Sequence, residues 1–411
     1  MAFLDLASMN AALKELYDGQ VVENLVYADN PFLAMVPKKT DFGGKYKPIP
    51  IITGASQGRS STFANAQTNQ SAVQIESFLL TRKSDYSIAT IDNQTMLASA
   101  TDKMSFLEGS KIVIDGAIRS ITLSLASSLF RSGTGSIGSI ATGGITSGVI
   151  TLADPNSVVQ FEVNMVLQAN ATDGGTPRAA LGYVIAVNRS AGTVTVSATG
   201  LGGAAGSPAA WAAGDFLLVQ GDVNAKVSGL QAWLPATAPT SSDSFYGVNR
   251  SVDTVRLAGV RYDGSAQPIE EALVDGSSLI AREGGKPGIA VMSYASYAAL
   301  EKALGAKVQY VDMQGKAEHA NIAFRGIMVN GANTMIKCFP DRNCPSQTAF
   351  LLQMDTWCLN SLGDAPQILR YGDGLEMLRV ANADAGEVRV GYYANLACQA
   401  PGWSGQLSLS A

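Results

Sequence analysis

The chain has 411 residues, of which 46% are hydrophobic and only 15% charged, with 42 glycines. A single core rarely grows this far, so two or three domains are expected, and so little solvating charge fits a surface largely covered by partners, although a Gly-rich β protein alone has the same profile. Lys and Arg number 29 against 34 Asp and Glu, a formal net charge of -5, which excludes a protein that wraps nucleic acid with its whole surface and leaves room only for weak contact.

The first residues, MAFLDLASMN, carry neither a basic n-region nor an apolar h-region, so no secretory signal is expected. No run of 18 apolar residues exists to span a membrane. Both point to a soluble protein made in the cytosol. Residues 1–40 read as an arm. Asn10 to Tyr27 has a helical pattern in Leu13, Leu16, Val21 and Leu25, which Asn30-Pro31 breaks. Phe32 to Val36 is apolar but ends at Pro37, too short to make a core element alone, so the arm is expected to be either disordered or docked on a neighbouring molecule, and its apolar content favours docking.

Lys45 to Thr53 (KYKPIPIIT) and Ala72 to Arg82 (AVQIESFLLTR) read as two strands of a ribbon. The stretch between them, GASQGRSSTFANAQTNQS, has almost nothing apolar to bury, and an isolated hairpin is marginal in water. The ribbon therefore calls for a second copy of the protein. Arg59, the single charged residue of 54–72, is a candidate contact between subunits, together with Phe63, Phe32, Lys45 and Lys47. The second strand continues through Asp85 to Asn93, which alternates as a half-buried strand does.

A helix of about eight turns follows. Leu107, Ile114, Ile118, Ile121, Leu125 and Leu129 recur at helical steps and form its core face, leaving Lys103, Lys111, Asp115 and Arg119 mostly off it. Thr101 or Asp102 can cap its start and Gly133 follows its end. Gly109 and Gly116 each cost about 1 kcal/mol against Ala, which suggests close backbone approach there.

Residues 133–222 change character. After a Ser- and Gly-rich stretch at 132–148 come short β-type runs at Val149–Ala153, Phe161–Ala169, Leu181–Asn188, Thr193–Ser197 and Phe216–Gln220. They suggest a small barrel or sandwich inserted into a larger domain, with hinges at its Gly-rich ends. From 223 onward the pattern is mixed. Helices are expected at Gln267–Arg282 and Ser293–Leu304, and strands at Ile289–Met292 and Lys307–Val311. Beyond Phe324 the chain reads mostly as strands: IMVNG, NTMIKCF, TAFLLQM, WCLNSL, EMLRVA and EVRVGYYANLACQ.

Chemistry-bearing motifs are few. Cys338, Cys344, Cys358 and Cys398 lack metal-ligand spacing and read as buried free thiols. GASQG at 54–58 fits the nucleophile elbow around Ser56, but that elbow needs a helix directly after it, and RSSTFANAQTNQS does not read as one. The single histidine, His319, would have to serve as the base. GTGSIG at 133–138 follows a helix instead of a strand, so the phosphate-cradling geometry is missing. No catalytic, cofactor or metal site is expected, and the chain is not expected to be an enzyme.

Taken in order, these elements resemble the major capsid protein of tailed bacteriophages, the α+β Johnson-type fold shared with herpesvirus capsids and encapsulins. The resemblance rests on element order and on the phrase NPFLAMVP. It implies an N-terminal arm at 1–41, an extended E-loop at 42–93, and a peripheral domain with its spine helix at 94–132 and 376–411. It further implies an axial domain at 223–375, and 133–222 is left as an inserted β-barrel or sandwich domain. It implies a subunit that self-assembles, without a cofactor, into the pentamers and hexamers of an icosahedral virion capsid around phage DNA, in the host bacterial cytoplasm. A portal protein, weak non-specific DNA contact, possible decoration proteins and no membrane belong to the same picture. Because the chain starts at Met1 without a removable scaffolding segment, a separate scaffolding protein is implied. Some members cross-link through an E-loop Lys and a peripheral Asn, but 54–72 holds no Lys. Rival readings are an encapsulin shell, a Ser hydrolase using Ser56 and His319, and a tail or adhesion protein.

Overall fold

The computed structural model describes residues 26–27, 29–94, 103–305, 310–316, 321–370 and 375–410, without the side chains of 103–110, 310–316 and 321–325. Most of the helical pattern over Asn10–Tyr27, the caps Thr101 and Asp102, and His319 fall outside the described residues, as do the side chains of Lys103 and Leu107.

The long helix runs from Lys103 to Ser128. Ile114, Ile118, Ile121, Leu125 and Leu129 are all buried, because steps of three and four residues return each of them to one face. That face lies on the strands Lys83–Asp92 and Ala385–Cys398. Lys111 and Arg119 are exposed and Asp115 is half-buried. Gly116 faces open space, so the close approach expected there does not occur.

Ala385–Cys398 is the centre of a six-stranded sheet. It pairs antiparallel with Lys83–Asp92 from Ala394↔Lys83 to Ala385↔Asp92, and with Trp357–Ser361 on its other side. Lys38–Lys39 extends that side in parallel. A second sheet of seven strands runs in the order Val260–Gly264, Gly405–Leu409, Thr348–Leu352, Ile289–Met292, Met335–Pro340, Asn321–Asn330 and Tyr310–Lys316. Its strands alternate between two cores. Val291, Phe339, Phe350 and Leu352 join the core of the long helix, whereas Ala290, Met292, Cys338, Ala349 and Leu351 face a separate core with the helices Ile269–Arg282 and Tyr294–Leu304. A sheet covered on both faces is apolar at successive positions, which is why these strands read as continuous apolar runs.

The inserted segment closes into a six-stranded barrel in the order Phe216–Val219, Ser136–Thr146, Val149–Leu152, Thr193–Ser197, Gly182–Asn188 and Val166–Asn170. Its interior is filled by Ile140, Ile150, Phe161, Leu167, Val184, Val194, Val196 and Leu217.

Several expectations are corrected. The Ser- and Gly-rich stretch is no hinge: Ser136–Thr146 is the longest strand of the barrel, with Ile140 turned inward. At Gly138 a Cβ would meet Ser157 Oγ at 3.2 Å and the Phe161 ring at 3.3 Å, tighter than ordinary van der Waals contact. The ends of the insert are tied together, Asn224 N donating to Thr134 O at 2.9 Å. The strand expected from Phe161 begins only at Val166 and is preceded by a 3-10 turn over Pro155–Gln160. The ribbon strand stops at Thr81, and Lys83–Asp92 belongs to the six-stranded sheet. The tip contains a short helix, Phe63–Thr68. Near the C-terminus the chain changes sheets: Trp357–Ser361 lies in the six-stranded sheet, whereas Gly405–Leu409, which the sequence did not mark, inserts into the seven-stranded one. The division of 223–375 from 376–411 therefore does not follow sheet membership.

The largest correction concerns NPFLAMVP. Pro31–Met35 forms one helical turn whose Phe32, Leu33 and Ala34 are buried in the chain's own core, followed by Val36. Each large apolar side chain buried in this way contributes roughly 1.5–3 kcal/mol, so a segment too short to fold alone is held by a core it completes.

Candidate assembly surfaces

The ribbon pairs Tyr46–Gly54 with Gln74–Thr81, in register from Tyr46↔Thr81 to Ile52↔Ile75. Its two halves differ. At the base, Ile49, Ile51, Phe78 and Leu80 point inward and are buried. Phe78 meets Trp233 edge-on with centroids 5.1 Å apart, and Phe245 stands 5.0 Å from Trp233. Leu79 N donates to Tyr246 O at 3.0 Å. Arg250 lies over the Phe245 ring at 4.2 Å and is held by Asp243 at 2.7 Å. The ribbon thus has a local core at its base, contrary to the expectation that it has none. Neither Trp233 nor Phe245 carries a sequence signal for this role.

Beyond Ile51 the cover ends. Ile52 is 51% exposed, Ile75 63% and Phe63 83%, and Val73 is exposed as well. The hydrogen bonds described here close on the ribbon itself: Thr53 Oγ1 to Gln74 O, Gln57 N to Ser71 Oγ at 3.0 Å, and Ser71 N to Gln57 O at 3.0 Å. Arg59 is exposed at this tip. Lys45 leans over the Tyr46 ring at 5.1 Å. Lys47 is paired with Asp41, and its hydrogen bond holds that carboxyl below its ordinary range. Phe32, expected among these contacts, is instead wholly buried, because its ring completes the core of its own chain.

Ser56 lies on the exposed tip, and the helix after it starts only at Phe63, too late for an elbow. Among the described residues no group of three His, Cys, Asp or Glu side chains could hold a metal ion. No described helix is long and apolar enough to cross a membrane. The four thiols are buried and free of disulfides, and burial pushes Cys338 and Cys398 up to about 12.

A cleft of about 920 Å³ separates the long helix from the barrel. At its floor Lys226 contacts Asp85 and lies 3.0 Å from Asp222. Arg131 donates from Nη2 to Ile137 O at 3.2 Å, and burial lowers its pKa. The barrel is also tied to the loop that follows the strand Met335–Pro340. Gln160 Nε2 donates to Asn343 Oδ1 at 3.0 Å, Asn343 Nδ2 to Asn30 Oδ1 at 3.1 Å, and Ser346 Oγ to Asp154 Oδ1 at 2.7 Å. Asp341 sits inside this junction and accepts from the backbone N–H groups of Phe32 at 3.2 Å and Asn343 at 2.9 Å. Burial nevertheless pushes its carboxyl up to about 6.

No family model matches the chain, and no curated protein matches it. Solved structures do. The subunit of the cyanophage A-1(L) capsid asymmetric unit is 12% identical, with 93% of this chain and 92% of that chain covered at a TM-score of 0.52. The holo-SrpI encapsulin complex from Synechococcus elongatus PCC 7942 is matched at 9% identity, with coverage of 99% and 96% and a TM-score of 0.41. Mycobacterium phage Cain is matched at 12% identity, with coverage of 100% and 99% and a TM-score of 0.40. The chain has the α+β fold of the cyanophage capsid subunit, with a closed barrel between the long helix and the seven-stranded sheet.

Proposed function

We propose that the chain is a major capsid protein, a non-catalytic subunit that assembles into the pentamers and hexamers of an icosahedral shell around phage DNA. One observation carries this reading. A ribbon clamped at its base by Phe78 and Trp233 projects an outer half whose Ile52, Phe63, Val73 and Ile75 have no cover, on a fold shared with a capsid subunit. Burying such side chains is worth roughly 1.5–3 kcal/mol apiece, and a neighbouring copy supplies that burial at every repeat of the shell.

In this reading residues 42–82 are the extended loop that lies over the next subunit, with Arg59, Phe63 and Lys45 at the contact and Lys47 retained by Asp41. The long helix and six-stranded sheet form the peripheral domain, and the seven-stranded sheet is the core of the axial domain. A net charge of -5 suits a wall that touches packaged DNA weakly. A portal protein is the remaining partner of such a shell, which forms in the bacterial cytoplasm.

Electron microscopy of the purified chain tests the proposal. Closed shells, rings or tubes are expected. A protein that stays monomeric at every concentration and ionic strength, with or without co-expressed phage assembly proteins, would overturn it.

A further inference from the structure

We infer that Lys226 and Asp85 become joined by an intramolecular amide bond that the chain forms by itself. The groups come from separate elements. Asp85 is on the strand Lys83–Asp92, directly opposite Tyr392. Ser124 is near the end of the long helix. Asp222 and Lys226 lie four residues apart on the segment that leaves the barrel. The Lys226 side chain is only 10% exposed, with Asp85 at 15% and Asp222 at 19%.

Around the Lys226 ammonium, the Asp85 carboxylate is in contact, Ser124 Oγ lies 2.9 Å away and Asp222 Oδ2 3.0 Å away. Ser124 Oγ donates to Asp85 Oδ2 at 2.5 Å. The hydroxyl of Tyr392, the residue paired with Asp85 across the sheet, is fully buried and makes no hydrogen bond of its own among the described residues. The arrangement contains a nucleophile (the amine), an electrophile (the Asp85 carboxyl) and two hydroxyls able to donate to the oxygen on which charge develops. It also contains a second carboxylate within hydrogen-bond reach of the amine, where a proton carrier must stand. Burial, reinforced by the neighbouring charge of Asp85, raises Asp222 above its ordinary range, which suits it to take and return a proton.

The reaction balances without an oxidant or a co-reactant. Asp222 takes a proton from the ammonium, and the freed amine attacks the Asp85 carboxyl carbon, forming the C–N bond. Ser124 and Tyr392 donate to the oxygen of the tetrahedral intermediate. The two protons lost from nitrogen pass in turn through Asp222 to the departing Asp85 oxygen, which leaves as water into the adjoining cleft. The product is a covalent loop from 85 to 226 that encloses the long helix and the barrel. It ties the strand after the ribbon to the barrel's exit, within one subunit and without joining copies.

Digestion of the purified wild-type chain and mass spectrometry test this. The expected result is a joined pair of peptides carrying Asp85 and Lys226, one water lighter than their sum, with a lysine-specific protease no longer cutting after Lys226. Lys226→Arg keeps the cation but should abolish the joined species completely. Asp222→Asn should abolish or strongly slow its formation while the circular dichroism spectrum stays that of the wild type. Full cleavage at Lys226 in wild-type protein, with both peptides at their sequence masses after prolonged incubation in the folded state, would show an ion pair only and overturn the inference. Bond formation in Asp222→Asn as fast as in the wild type would overturn the role given to Asp222.

Discussion

Phe32 and Phe130 lie with their ring centroids 5.1 Å apart and their planes tilted by 49°. One belongs to the helical turn Pro31–Met35 and the other follows the last turn of the long helix, so this apolar turn is a plug in the chain's own core. Phe130 in turn stands 6.2 Å from Phe350 of the seven-stranded sheet, and the plug therefore links both sheets through the helix end.

Replacing Phe32 by Ala should destabilise the isolated subunit by roughly 3–5 kcal/mol, as expected for an aromatic side chain deleted from a core. Denaturant unfolding of unassembled protein measures this. Unchanged stability with impaired assembly would return Phe32 to an intersubunit role.

The two halves of the ribbon should respond differently. Phe78→Ala removes the base clamp and should cost about 3–5 kcal/mol of subunit stability. Phe63 is 83% exposed, so Phe63→Ser should leave the melting temperature unchanged while lowering particle yield. Equal particle yields for Phe63→Ser and wild type would place the assembly contact elsewhere.

On the long helix, Ile118 is buried and Arg119 exposed. Ile118→Asp would bury an unpaired carboxylate and should abolish soluble yield. Arg119→Ala should leave folding intact and at most weaken contacts between subunits. Soluble yield and particle count for the two variants separate the cases, and normal particles from Ile118→Asp would contradict the buried face.

Asp341 gives a pH dependence of defined sign. Its carboxyl titrates at about 6 in the folded chain against an ordinary 3.8, so the folded state binds that proton more tightly than the unfolded one. The group therefore adds stability at low pH, and that contribution is lost as pH rises through 6. The full difference is on the order of 3 kcal/mol. Stability of the wild type relative to Asp341→Asn, followed from about pH 4 to about pH 7, should fall with pH; a flat or rising difference would refute the burial argument.

Removing 136–222 and joining the ends through a short Gly/Ser linker should leave a folded subunit, because Thr134 and Asn224 are already hydrogen-bonded neighbours. The loss of the Gln160–Asn343 and Ser346–Asp154 bonds should show as a lower melting temperature. Insoluble aggregate alone would mean that the barrel is part of the subunit's folding core.

Much of the architecture is written in local periodicity. The step of the Ile and Leu residues determines the long helix and its buried face. Alternation places the first ribbon strand within one residue of its observed ends and the start of the second within two, and Ile289–Met292 and Thr193–Ser197 are found where their patterns put them. The polar composition of 54–72 marks a tip without a core of its own. These features are legible because each depends on neighbours a few positions away.

What the sequence did not determine depends on partners far along the chain. Ser136–Thr146 looks like a linker until the barrel closes around Ile140, and Gly405–Leu409 becomes a strand only between Val260–Gly264 and Thr348–Leu352. Phe32 is read as an arm residue because nothing local reveals Phe130. Lys226 and Asp85 are separated by 141 positions, and neither residue type nor spacing announces their contact. Only the packing of helix, sheet and barrel brings them together, since burial and pairing are properties of the closed core and not of any segment that enters it.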